Sequence, residues 1–302
     1  MTYRFRKKES MIAGTRRIAR EELDKATAEL RDLEIKLDER VHQVRKRMKK
    51  LRGLLRLVRD GIGETYSREN VFFRNLARSL SSLRDTGAML ESADGLIERF
   101  GDEECKKNLL DKFKVELENM RSDYIETGES VNRLITDTVT KIKDANTRIS
   151  TWRLEDRGFD AIRGGFKRTY KRGLKAMATA CGKPSAKNFH EWRKRVKYHW
   201  YHARLLNPVW PAKKDNYTDR LKTLSNYLGD NHDLDVLRET LKTVTVQSLS
   251  AKEKQSIREM IGLRQQELIE NAGREGKLIY ASKPGKFCGN VKKWFEAWKN
   301  SG

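Results

Sequence analysis

HQVRKRMKKLRGLLRL at residues 42–57 and HEWRKRVKYHWYHARL at residues 190–205 are two versions of one basic segment. Sliding the chain against itself by 148 residues aligns them without a gap, and seven of the sixteen pairs are identical. The same offset pairs Leu80 with Leu228 and Asp85 with Asp233 further along the chain. A register that holds from residue 42 to residue 85 predicts an internal duplication.

Apolar residues around both segments recur every three or four positions, which is typical of amphipathic helices. The stripes on the first two helices are Leu23, Leu30, Leu33 and Leu37, followed by Val44, Met48, Leu51, Leu55 and Val58. Later helices are predicted near 103–126, 130–150, 159–180, 216–229, 233–244, 251–272 and 286–299, with another ending at Leu206. We therefore predict an all-α fold of two pseudo-symmetric helical bundles, 1–150 and 151–302, with a basic groove or central pore.

Positive charge dominates the composition. Lys and Arg number 65 against 43 Asp and Glu, which gives a formal net charge of +22. Such a fold repels itself unless anions compensate the excess, so a polyanionic partner is expected. Three widely spaced cysteines without a C-x-x-C motif indicate neither disulfides nor a zinc site, which suits a reducing cytoplasm. The charged N-terminus and the lack of a long apolar run favour neither export nor a membrane span.

The cations of each basic segment share one helical face. The first set is His42, Arg45, Lys49, Arg52 and Arg56, and the second is His190, Arg193, Lys197 and Arg204. Cations three and four residues apart repel one another and weaken a helix unless an anion lies along them. A solvated basic face explains one such helix, but its recurrence at matched register favours a binding surface. One stripe presents a cation about every 5 Å, a density that suits a linear phosphate chain.

The histidines and acids near these stripes have two interpretations each. Each histidine either donates a hydrogen bond to phosphate or packs against a neighbouring helix, and the surrounding cations disfavour its protonated form. Asp85 and Asp233 are expected to orient arginines through charge-assisted hydrogen bonds. The acids of LGDNHDLDVL at 228–237 supply too few oxygens for a magnesium site, and acids at a helix start more often cap it. No metal and no cofactor is predicted.

The repeated pattern resembles the CHAD domain, a conserved histidine α-helical domain. In that family H-x-x-R-x-x-x-K/R-x-x-R on a helix is followed by an L-G-D/R-D-x-D-V-L element. The first pattern is complete from His42 to Arg52, whereas Trp200 replaces the final arginine in the second copy. The first copy of the later element is degenerate, with Thr86 and Gly87 at its apolar and acidic positions. The resemblance covers essentially the whole chain.

The resemblance implies a single domain that binds inorganic polyphosphate, or another phosphate-rich polyanion, on a basic surface or in a central pore. It further implies association with polyphosphate granules in the cytoplasm. No E-x-E-x-K strand is found, so we expect a CHAD domain without a CYTH enzyme module. The expected phosphate-binding residues are Arg16, Arg20, His42, Arg45, Lys46, Lys49, Arg52, Arg56, Arg84, Lys167, Arg168, His190, Arg193, Lys194, Lys197, Arg204 and His232, supported by Asp85 and Asp233.

Three alternatives remain open. Nucleic acid offers the same phosphate charge, and Trp192, Trp200 and Tyr201 are candidate stacking residues, although their spacing suits core packing equally well. A scaffold at acidic surfaces would need the aromatic residues of the last helix to be exposed. A metal-dependent phosphohydrolase is unsupported because no P-loop, G-x-S-x-G or H-E-x-x-H motif occurs, so we expect no enzyme. The sequence does not fix the oligomeric state or the preferred chain length.

Overall fold

The structure is a computed structural model that describes residues 3–80, 87–122, 128–212, 216–243 and 249–301. Within these ranges every regular element is helical, which confirms the predicted all-α class. A short 3₁₀ turn, Asn207–Val209, follows the eighth helix. The helices are α1 (Met11–Arg31), α2 (Leu37–Leu57), α3 (Thr65–Ser79), α4 (Gly87–Phe100), α5 (Glu104–Ser122), α6 (Gly128–Ile149), α7 (Asp160–Gly182), α8 (Ala186–Leu205), α9 (Tyr217–Thr243), α10 (Ala251–Ile279) and α11 (Pro284–Asn300).

Serine caps begin three of these helices. Ser10 before α1 and Ser185 before α8 each accept a 3.2 Å hydrogen bond from the backbone N–H three residues further on. Ser250 and Glu253 form a reciprocal capping box at the start of α10. These caps satisfy N–H groups that have no partner inside the helix. The cap at Ser185 fixes the start of α8 and therefore the positions of its cations.

The apolar stripe of α1 is shorter than predicted. The helix ends at Arg31, and Leu33 lies in the connection with 81% of its surface exposed. Leu37 is the first residue of α2 and does not belong to α1. The prediction that Leu33 and Leu37 continue the stripe of α1 is therefore wrong, because apolar spacing persists across a connection where the backbone leaves the helix.

The prediction of separate helices at 216–229 and 233–244 is also wrong, because α9 is continuous from Tyr217 to Thr243. Gly229 does not end a helix there. Arg193 of α8 lies over it, and a Cβ at position 229 would be 3.6 Å from Arg193 Nε. Asp230 and Asp233 consequently lie in mid-helix and cap nothing. In the same way, α10 extends past the predicted end at residue 272 to Ile279.

Two hydrophobic clusters hold the helices together, and each draws on both halves of the chain. The larger joins α1, α2, α3, α6, α7, α8, α11, the first part of α9 and the last part of α10, with Trp152, Tyr170 and Trp192 fully enclosed. The smaller joins α4 and α5 to the rest of α9 and to α10. The division into 1–150 and 151–302 stays a prediction about the sequence repeat, since neither cluster is confined to one half.

The two basic helices α2 and α8 cross at a glycine. A Cβ at Gly53 of α2 would lie 2.9 Å from the Cβ of Tyr201 on α8. The Gly53 carbonyl is also 3.0 Å from Nε2 of His202, a fully buried side chain. We call these three residues the α2–α8 crossing. Because it is closely packed, the cations of α2 and α8 are distributed on its two flanks.

Candidate anion-binding site

The predicted basic residues of α8 lie against α9. The ring centroids of His190 and His232 are 4.4 Å apart, and Arg193 lies over Gly229. Burial is the main cause that lowers the pKa of both histidines, and Arg193 lowers it further. The Arg193 Nε is buried and has no hydrogen-bond partner among the described residues. An anion would satisfy this donor, which otherwise carries the cost of a buried polar atom left unpaired.

Lys197 links this row to α2. The pKa of Lys197 is lowered to about 8, mainly by burial and also by Arg193 and Lys46, while Asp233 and Asp230 act in the opposite direction. Because Lys46 is on α2, cations from the two basic helices are close enough to repel each other. An anion placed between them would stabilise the charged form of Lys197.

A cleft of about 710 Å³ opens between α1, α2, α8 and α9 beside this contact. We call it the basic cleft, because its lining contains seven Lys or Arg side chains and two carboxylates, Glu22 and Asp219. Its cations are Arg4, Lys25, Lys46, Arg47, Lys50, Arg204 and Lys222. The lining comes from both halves of the chain.

Helix α1 neutralises part of this charge. The carboxylate of Glu22 is buried and lies 3.0 Å from Lys50 Nζ and 3.1 Å from a guanidinium nitrogen of Arg47. Arg47 also pairs with Glu29. Arg4, in the segment before α1, forms no ion pair with any residue that the structure describes, and neither do three cations on helices, namely Lys46, Arg204 and Lys222. These three come from three different helices and leave a local excess of positive charge.

Trp200 occupies the position where the repeated pattern calls for an arginine. Its ring lies in the basic cleft between two cations, 5.9 Å from Lys197 Nζ and 5.0 Å from Arg204 Cζ. Arg204 Cζ is also 5.4 Å from the ring of Tyr3. These cation–π contacts position Lys197 and Arg204 at the cleft without neutralising their charge.

The stripe of α2 contacts α3. Arg45 donates a hydrogen bond of 3.5 Å to the Leu80 carbonyl, and Arg52 donates one of 3.3 Å to Asn70 Oδ1. The histidine and lysine of this stripe, His42 and Lys49, are half-buried. Arg193 is the repeat partner of Arg45, and it lies over Gly229 of α9. Because the offset of 148 pairs Leu80 with Leu228, the two arginines contact neighbouring positions of the repeat. Lys46, the cation of α2 that lies close to Lys197 of α8, is not a member of the first stripe. A single cavity bordered by both stripes therefore stays a prediction.

Two predicted residues lie on the opposite flank of the α2–α8 crossing. The guanidinium of Arg56 stacks 3.9 Å from the ring centroid of Tyr198, and Arg168 pairs with Asp60 at 3.1 Å nearby. Lys167 is exposed and adds to the positive charge around Cys288. The structure thus brings Arg56 and Arg168 together, but not at the basic cleft.

Three further predicted residues do not line the basic cleft. Arg16 donates a hydrogen bond of 3.1 Å to the backbone carbonyl of Trp152, and Lys194 pairs with Glu191. Arg20 is exposed on α1. Arg16 and Lys194 therefore have structural contacts that account for their positions without an anion.

The supporting acid Asp233 does not make the arginine contact that was predicted for it. Burial lowers the pKa of Lys197 and His232, and Asp233 lies close enough to oppose that lowering. No described arginine hydrogen bonds to Asp233, so the structure does not show the expected arginine contact. Arg84 and Asp85 lie outside the described residues. No group of three or more His, Cys, Asp or Glu side chains in the described ranges has an arrangement that could hold a metal ion.

Several cations of the cleft were not predicted as site residues, namely Arg4, Lys25, Arg47, Lys50 and Lys222. The repeat contained a clue for two of them, because Arg47 recurs as Arg195 and Lys222 aligns with Arg74. Lys50 belongs to α2 but is not repeated, because Tyr198 is at its aligned position. Arg4 and Lys25 have no counterpart in the motif, and only the packing of α1 and the N-terminal residues against α2 brings them to the cleft.

The aromatic residues predicted to pack are mostly enclosed. Phe295 is 2% exposed, and Trp294 and Trp298 are half-buried against the larger cluster, so α11 presents no exposed aromatic patch. Trp192 and Tyr201 are also buried. No described helix combines the length and the apolar character that crossing a bilayer requires.

Comparisons with known proteins test the predicted family. A solved structure, the CHAD domain from the plant Ricinus communis, is 16% identical, with a TM-score of 0.49 and coverage of 95% of this chain and 91% of that one. Curated proteins give no match. The family model of the CHAD domain matches residues 17–242, well over half of the chain, including both basic helices. The predicted membership is confirmed, and this chain belongs to the CHAD domain family.

Proposed function

We propose that this protein binds inorganic polyphosphate along the basic cleft and the adjoining cations of α8, without catalysing a reaction on it. The CHAD family is associated with polyphosphate. The observation that carries the proposal is the convergence of Lys46, Arg204 and Lys222 from three helices in one cleft, with no ion pair to a described residue. Such an excess of positive charge is stabilised when a polyanion occupies it.

A linear chain of phosphates suits the arrangement of these side chains. Arg193, Lys197, Trp200 and Arg204 follow one another on a single face of α8 at spacings of three and four. From Arg193 to Arg204 this row extends roughly 16 Å at 1.5 Å per residue. Lys46 approaches the row from α2. A flexible polyanion that carries about one charge per phosphate can follow the row and continue into the basic cleft.

The geometry favours a ligand without bases over nucleic acid. Single-stranded nucleic acid is held by successive aromatic platforms beside cations. Of the three candidate platforms, Trp192 is 0% and Tyr201 is 2% exposed. Trp200 remains in the cleft, but its ring already contacts Lys197 and Arg204. A phosphate chain needs no stacking partner, so it uses all of the charge that the site offers.

The test is a titration of the protein with long-chain polyphosphate, pyrophosphate, single-stranded RNA and duplex DNA at several salt concentrations. We expect tight binding that grows with polyphosphate length, together with weaker binding of nucleic acid at matched charge. Equal affinity for RNA would favour the nucleic-acid alternative. Release of phosphate that depends on Mg²⁺ would show an enzyme and overturn the non-catalytic part of the proposal.

A pair of variants locates the binding site. Lys222→Gln removes a cation of the basic cleft, whereas Lys252→Gln removes an exposed cation at the start of α10, outside the cleft. Both changes lower the net charge by one, so diffuse attraction falls equally. If the cleft binds the polymer, Lys222→Gln weakens long-chain binding several-fold more than Lys252→Gln does. Equal effects would show that the charge acts diffusely and that the site is misassigned.

A further inference from the structure

Five arginines meet on the flank of the α2–α8 crossing opposite the basic cleft. Arg56 comes from the last turn of α2 and Arg59 from just after it, Arg168 and Arg172 from α7, and Arg195 from α8. Thr169 and Tyr198 complete a cavity of about 20 Å³ between them. We call this the arginine pocket. It is lined by no carboxylate, so its interior is more uniformly positive than the basic cleft.

The positive charge of this pocket is only partly compensated from outside. Asp60 lies 3.6 Å from Arg59 and 3.1 Å from Arg168, and Glu191 lies 2.9 Å from Arg195. Arg172 forms no ion pair with any described residue. Five guanidinium groups therefore share two carboxylates.

Mutual repulsion is visible in the pocket. Burial lowers the pKa of Arg56, and Arg52 and Arg195 add to that effect. Burial also lowers the pKa of Arg172, again with Arg195 contributing. A guanidinium remains charged at any physiological pH, so these side chains cannot relieve the repulsion by losing a proton. An anion is the remaining way to relieve it.

Thr169 supplies a neutral donor at the same place. Thr169 as a whole residue is 9% exposed, and its side chain lines the arginine pocket without a hydrogen bond to another described residue. Thr15 and Thr179, in comparable helical positions, each donate to the carbonyl four residues earlier. Unlike those two, the Thr169 hydroxyl has no partner among the described residues, so it is available to a ligand in the pocket.

The arginine pocket is separate from the basic cleft. Between them lies the α2–α8 crossing, where Tyr201 is 2% and His202 0% exposed and Gly53 allows the helices to touch. Beside it, Gly165 of α7 lies so close to α2 that an added Cβ would be 2.2 Å from the Leu57 carbonyl oxygen. A polymer held in the cleft has no path between these helices into the pocket.

From this geometry we infer that the arginine pocket is a second anion site, which binds a single compact phosphate group. The cavity has room for about one water-sized group, since a water needs roughly 10–15 Å³. One phosphate oxygen therefore enters beside Thr169, and the others remain at the mouth, where planar guanidinium groups bind phosphate through paired N–H donors. The inference does not depend on which ligand occupies the basic cleft.

Two sources can supply this group, free orthophosphate and the terminal phosphate of a longer chain. The test is calorimetric titration of the full chain with orthophosphate and, separately, with tripolyphosphate at low salt. Two variants alter the pocket: Arg172→Gln removes a cation that has no ion pair to a described residue, and Thr169→Val removes the hydroxyl while keeping the shape. Lys171→Gln is the matched control, because it removes an exposed cation from the same helix outside the pocket.

We expect Arg172→Gln and Thr169→Val each to weaken orthophosphate binding about tenfold, the effect of one hydrogen bond to a charged group. Thr169→Ser restores the hydroxyl and should restore binding, which a purely structural effect of the valine would not predict. Lys171→Gln should leave the affinity within twofold. If tripolyphosphate responds to the pocket variants and orthophosphate does not, or if Lys171→Gln matches them, the site for a single phosphate does not exist.

Discussion

Replacing Lys46 by glutamine tests whether the cations of α2 and α8 act on one ligand. Lys46 is exposed, lines the basic cleft and forms no ion pair with a described residue, so the change should leave the fold intact. Lys46 also contributes to the lowered pKa of Lys197, which is about 8 mainly because of burial. The variant should therefore weaken polyphosphate binding and raise the pKa of Lys197 at the same time.

The size of the binding effect follows from the position of Lys46 at the rim of the cleft. Two unit charges 4 Å apart interact by about 1 kcal/mol in water and by about 4 kcal/mol at an effective dielectric constant of 20. For an exposed lysine the lower figure applies, which corresponds to about fivefold in affinity. One lost contact should also reduce the slope of log K against log salt by about 0.7, the value for a single-stranded phosphate backbone.

The assay is fluorescence anisotropy of end-labelled long-chain polyphosphate at 50, 100 and 200 mM salt, with Lys252→Gln as the charge-matched control. Side-chain carbon NMR of lysine gives the pKa of Lys197 in the absence of ligand. Equal salt slopes in the two variants would refute a specific contact at Lys46. An unchanged pKa of Lys197 would refute the proximity of the two basic helices on which the proposed site depends.

Other predictions concern the fold that holds the site. Burial lowers the pKa of His199 and His202 to about 3, below the unfolded value of about 6.5, so their stabilisation is complete above pH 6.5 and is lost as the pH falls. At pH 5 the free energy of unfolding should be lower by roughly 2 kcal/mol for each histidine. Urea unfolding at pH 7.5 and at pH 5 measures this difference, and a free energy of unfolding that does not change with pH would contradict the prediction. Gly53→Ala places a Cβ against Tyr201 and should destabilise the protein by about 1–3 kcal/mol. The control Gly273→Ala adds a Cβ that meets nothing within 4 Å and should not destabilise it. Equal unfolding midpoints of the two variants would disprove close packing at the crossing. Glu22→Gln leaves Lys50 and Arg47 of α2 without their shared carboxylate and should lower the free energy of unfolding by about 3 kcal/mol. A loss below about 1 kcal/mol would show that the pairing is unimportant.

The all-α class and the basic face of each repeated segment could be predicted from the sequence alone. Both depend on the helical period, which places residues three and four apart on one side whatever the rest of the chain does. The repeat at an offset of 148 added the matched positions of Arg45 and Arg193, and the structure gives these residues matching contacts with α3 and α9. The motif within the repeat also led to the correct family.

The composition of the basic cleft was decided only by the tertiary structure. Arg4 and Lys25 belong to no motif, and they reach the cleft because α1 and the residues before it pack against α2. Gly229 has the appearance of a helix boundary in the sequence, yet α9 continues through it, and Arg193 of α8 lies over this position. Sequence periodicity describes one helix at a time, whereas a cleft depends on the distances and rotations between helices, which are set by close contacts such as Gly53 with Tyr201.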